Sequence, residues 1–139
     1  MLREVYSGRV RLNGEEHEQT VIAANNYALA LSALKRFEEV RALFRKTVPV
    51  ARRVFGESNE TTLKMRTIYA EALYKDPAAA LHDLREAVTT LVEIEPIARR
   101  VLGGTHPVAM NIEASLQNAR SKLASFDALS GGVRDLSVS

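Results

Sequence analysis

Ala51-Arg52-Arg53-Val54-Phe55-Gly56 returns as Ala98-Arg99-Arg100-Val101-Leu102-Gly103, and Pro49 returns as Pro96, all at a constant step of 47 residues. Six aligned positions with one conservative change are a repeat, and a repeat of this length marks stacked structural units. A fainter copy lies upstream. Gly14 precedes Gly56 by 42 residues, and at that step Tyr27-Ala28 becomes Tyr69-Ala70 and Ala30-Leu31 becomes Ala72-Leu73.

Working outward from the doublet, each segment reads as helix. Leu2, Val5, Tyr6 and Val10 fall at three- and four-residue steps and stop at Asn13-Gly14. Glu16 to about Leu34 is apolar almost all round, as in a helix packed between neighbours. Phe37, Val40, Leu43, Phe44, Val48, Ala51 and Val54 make one side of the next helix, with Arg41, Arg45, Lys46, Arg52 and Arg53 towards water. Ser58 or Asn59 is the expected cap of a third helix. Asp76-Pro77 reads as capping carboxylate and first-position proline of a fourth, which runs to Leu102. Thr105, ahead of Pro107, reads as the cap of a fifth with Val108, Ile112, Leu116, Ala119 and Leu123 as its apolar line. Pro49 and Pro96 fall inside helices, which reads as a shaped kink repeated in both copies.

The expected architecture is an all-α, α-α superhelix: a solenoid of antiparallel helix hairpins that bury their apolar faces by stacking. Its array spans residues 1–124, with a half repeat 1–14, repeats of about 15–56 and 57–103, and a half repeat 104–124. Residues 125–139, with Gly131-Gly132 and scattered serines, read as a flexible tail.

Composition narrows the function classes. The 19 basic and 17 acidic residues nearly balance, so no nucleic-acid or membrane footprint is expected, and no run approaches the roughly 20 apolar residues of a membrane span. Cysteine is absent, which removes disulfides and thiolate chemistry and agrees with a cytoplasmic address. His17-Glu18-Gln19-Thr20-Val21 opens like a zinc-protease motif, but Val21 replaces the second ligand; His17, His82 and His106 lie far apart. No phosphate-cradling glycine loop or nucleophile elbow occurs. The chain is therefore expected to be no enzyme and to need no metal or cofactor.

Asn25-Asn26-Tyr27-Ala28, Lys35-Arg36-Phe37-Glu38-Glu39-Val40 and Val101-Leu102-Gly103-Gly104-Thr105-His106-Pro107 resemble tetratricopeptide repeats of the kinesin-light-chain type. Those read roughly NNLA, GKYEEA, and VLG followed by HP. Lys35 stands where that pattern has Gly, and the second repeat carries five extra residues around 75–80. The resemblance implies a protein-interaction module with a concave groove lined by the first helix of each hairpin.

Helical phase and the resemblance together put Asn25, Leu29 and Ser32, then Lys64, Thr67, Glu71, Tyr74 and Lys75, then Asn111, Asn118 and Lys122 on that concave side. Asn and Lys suit an extended peptide, since amides bond to its backbone and ammonium groups attract its carboxylates. The expected partner is a protein or peptide, with acidic residues favoured. The alternative is self-association through the open ends of the solenoid, as a stacking unit or a piece of a longer array.

Overall fold

A computed structural model describes the backbone from Met1 to Val138 and the side chains from Met1 to Leu129. Among the described residues the elements are α1 (Leu2–Asn13), α2 (Glu18–Ala33), α3 (Phe37–Val54), α4 (Glu60–Tyr74), α5 (Leu81–Leu102) and α6 (Pro107–Val138). None of them is long and apolar enough to cross a membrane.

Each helix packs on the next in sequence, and α4 also packs on both α2 and α6, whereas α3 and α5 touch only through side chains such as Arg52 and Glu93, 4.0 Å apart. The first helices of the hairpins thus form an inner wall and the second helices an outer one. This is an all-α helical-repeat solenoid. Its core has two parts that share α4. Met65 and Ala72 join a cluster with Val21, Leu31, Val40 and Phe44. Leu63, Ala70, Leu73 and Tyr74 face the other way, onto Leu84, Leu91, Ile94 and Ile112. The alanines on these inner helices allow the close approach that a two-sided wall needs.

The repeat is written in the backbone as well as in the packing. Gly14, Gly56 and Gly103 have φ of 81°, 93° and 92°, so each second helix ends in a conformation that favours glycine. Three residues further on, His17, Asn59 and His106 each accept a hydrogen bond from the N–H two residues ahead and so open α2, α4 and α6. Thr105 is therefore not the cap of α6: the neighbouring imidazole takes that place, and Asn59 rather than Ser58 caps α4. The hydroxyl of Thr20 reaches the Arg9 carbonyl at 3.2 Å, and that of Thr62 reaches the Ala51 carbonyl at 3.3 Å, one contact repeated at the 42-residue step.

Asp76 and Pro77 do not start α5. They lie in the 75–80 loop, where one Asp76 oxygen accepts from the Ala78 N–H and the other pairs with Arg41 at 2.9 Å. Those two contacts, the Ala78 bond first, hold the Asp76 carboxyl below its ordinary range. Helix α5 opens instead at Leu81, where the Asp83 carboxylate accepts from the Ala80 N–H at 2.9 Å. Arg41, expected towards water, is only 17% exposed and also donates to the Ala72 carbonyl. The five extra residues are thus shared between a longer loop and an added turn at the start of α5.

Pro49 and Pro96 do lie inside α3 and α5, with both rings exposed. On the solvent side, the carbonyls of Arg45 and Val92 that lose a helical donor can turn to water. Helix α6 continues past residue 124 into the stretch expected to be a tail, and Leu123 and Phe126 pack against the second core there.

The departure at Lys35 has a measurable consequence. Its φ of 59° makes it the only non-glycine residue with positive φ among those described. A left-handed residue with a Cβ is strained, and the exposed Lys35 side chain makes no compensating burial. Lys35→Gly is expected to stabilise the fold by about 0.5–1 kcal/mol, read as a higher urea midpoint at unchanged slope.

Candidate functional site

Helices α2, α4 and α6 enclose a groove of about 510 Å³ on the inner wall. Asn25, Leu29, Ser32 and Ala33 enter it from α2, Lys64, Thr67, Ile68 and Glu71 from α4, and Pro107, Val108 and Asn111 from α6. The four-residue steps from Asn25 to Leu29, Lys64 to Ile68 and Pro107 to Asn111 keep each set on one face of its helix.

Glu71 is the hub of the polar contacts. Its carboxylate is 16% exposed, with one oxygen 2.8 Å from Lys75 Nζ and the other accepting from Ser115 Oγ at 3.2 Å and Asn111 Nδ2 at 3.4 Å. The Glu71 hydrogen bond is the main cause of a raised Lys75 pKa, which keeps that ammonium charged. Lys64 Nζ lies 3.4 Å from Glu60 on its own helix. The Thr67 hydroxyl donates to the Leu63 carbonyl at 2.7 Å, and Thr67 is buried. Asn25 differs from all of these: its Oδ1 is buried with no hydrogen-bond partner.

Of the residues that phase assigned to the concave side, Asn25, Ser32, Lys64, Thr67, Glu71 and Asn111 line this one groove; Lys75, Asn118 and Lys122 do not. Lys122 is turned onto the carbonyls of Tyr74 and, at 3.3 Å, Asp76, where it neutralises the negative end of α4. Asn118 is exposed further along α6. Tyr74 is buried in the second core instead of facing the groove, because α4 turns that side towards α5 and α6. Leu29, in contrast, stands 49% exposed. Ala33, Ile68, Pro107 and Val108 were not foreseen. Extending the same four-residue phase to apolar positions finds Ile68 from Lys64 and Pro107 from Asn111.

The geometry of α2, α3 and the start of α4 has an independent counterpart. Residues 20–60 match the family model of the tetratricopeptide repeat. No curated protein and no solved structure matches the chain. The matched stretch runs from Thr20 through the Gly56 stop to the Asn59 cap and Glu60, just short of one 42-residue step. Tetratricopeptide repeats generally mediate protein–protein interaction or scaffolding.

Proposed function

We propose that this protein is an interaction module that holds an extended peptide segment of a partner in the groove between α2, α4 and α6. The observation that carries the reading is the convergence of three helices from successive repeats on one cavity, with polar side chains at its rim and Leu29 standing free within it. The 42-residue step and the His106-Pro107 opening of α6 support a repeat of the kinesin-light-chain type.

The acidic preference expected of the partner is not retained. It rested on Lys64, Lys75 and Lys122, and each of these is engaged by a carboxylate or by carbonyls of the chain.

The test is a random twelve-residue peptide library displayed against the whole chain, followed by fluorescence anisotropy on the selected binders. Asn25→Ala combined with Lys64→Ala is expected to weaken the best binder about five- to twentyfold, the loss of one or two hydrogen bonds, with a melting temperature that does not fall. Binding that is unaffected by both substitutions would remove the groove from consideration. A second reading, stacking through the solenoid ends, has one observation in its favour: α1 has no buried residue and exposes Val5 and, at 80%, Leu12. Light scattering on the same samples separates the two, since the groove reading expects monomer mass at every concentration and stacking expects it to rise.

A further inference from the structure

The charges of the groove cancel in place. Lys64 and Glu71 are the charged residues that line it, and each has a partner just outside, Glu60 for Lys64 and Lys75 for Glu71. A carboxylate brought in by a ligand would share the Lys64 ammonium with Glu60 and face the Glu71 carboxylate, gaining at most one exposed ion pair while adding uncompensated negative charge. An ammonium or guanidinium would meet the same balance with the sign reversed. The electrostatic complement of this surface is a segment without charge.

What the groove leaves unspent is apolar surface and one amide oxygen. Leu29 from α2, Ile68 from α4 and Val108 from α6 come together in the groove, and a cavity of about 510 Å³ has room for one large side chain among them. One turn before Leu29, Asn25 Oδ1 is buried without a donor. A carbonyl in that position is destabilising until an N–H reaches it, and the peptide backbone supplies N–H groups at regular spacing.

We infer that the segment held in the groove is uncharged and extended, anchored by one apolar side chain of the size of Leu, Met or Phe. That side chain seats against Leu29, Ile68 and Val108, and the Asn25 amide turns out of its buried position so that Oδ1 accepts from the adjacent backbone N–H. The inference rests on the groove being the binding site. It adds what the groove selects.

The experiment is a titration of the ¹⁵N-labelled full chain, followed by amide chemical shifts, with capped pentapeptides of sequence Ser-Ala-Leu-Ala-Ser and variants carrying Ser or Glu at the centre. Shifts are expected around Leu29, Ile68 and Val108, with the Leu peptide binding about tenfold or more tighter than the Ser or Glu peptide, from burial of its side chain. Its affinity is expected to change less than about twofold between low and moderate salt. Methylating the nitrogen of the central Leu is expected to cost about five- to tenfold by removing the donor. Leu29→Ser is expected to abolish the preference for Leu, and Leu29→Met to keep it; both variants are checked for an unchanged melting curve.

Tightest binding by the Glu peptide, with steep salt dependence, would overturn the uncharged-anchor inference while leaving the groove as the site. An indifferent response to methylation would overturn the role given to Asn25. Shifts confined to residues outside the groove would overturn this inference and the groove reading together. Groove shifts that appear on concentrating the protein alone, without peptide, would make a second copy the occupant and overturn it as well.

Discussion

Phe44→Ala is expected to destabilise the protein by about 3–5 kcal/mol, the range for removing a fully buried aromatic ring and leaving its cavity. Phe44 is completely buried on α3, in the core part that gathers Val21 and Leu31 from α2 and Met65 from α4. Collapse around the void is limited, because the surrounding side chains are themselves buried in a close-packed cluster held between α2, α3 and α4. In a solenoid the loss is also local. Hydrogen exchange should accelerate most in α2 and α3 and least in α5 and α6, whose packing runs through the second core part. Uniform acceleration across all helices would show that α4 transmits the damage and that the two parts unfold as one unit. Urea melts give the total and exchange gives its distribution.

The second large effect is expected at the glycine that closes the doublet. Gly103 has φ 92° and ψ 149°, a region open essentially to glycine alone. A Cβ placed there would meet no heavy atom within 4 Å, so the cost of Gly103→Ala is one of backbone strain without steric conflict, about 1–3 kcal/mol. Gly104 is the control. It lies outside the positive-φ set, and its Cβ would touch Arg99 Cγ at an ordinary 3.8 Å, so Gly104→Ala is expected to stay within about 0.5 kcal/mol of the parent. Equal thermal shifts for the two variants would contradict the assignment of strain to Gly103.

On the outer face, arginines of both doublets are engaged in ion pairs within the chain. Arg53 pairs with Glu16, Arg99 with Glu95, and Arg52 with Glu57, all with exposed arginine side chains. Exposed pairs of this kind contribute little individually. Arg53 with Glu16 and Lys46 with Glu15 at 3.2 Å nevertheless join α3 to the segment ahead of α2, so they tie down the first turn of the array.

Sequence alone determined the period, the existence of the helices, and the glycines at which α1, α3 and α5 stop. Glycine freedom at Gly14, Gly56 and Gly103 and the 3.6-residue spacing of apolar side chains operate within a few residues of chain. The same local phase put Asn25, Ser32, Lys64, Thr67, Glu71 and Asn111 on one side, and they do share a groove. Only the tertiary structure decided which of the polar groups are free. Arg41 and Asp76 are 35 residues apart, Ser115 and Glu71 are 44, and Lys122 lies 46 from Asp76. Whether such groups meet depends on how far each hairpin is rotated against the next, a property of side-chain packing that no local pattern encodes. For that reason the doublet could be read at once as a unit of construction, while the charge-balanced, partly apolar character of the groove emerged only once α2, α4 and α6 were packed into one wall.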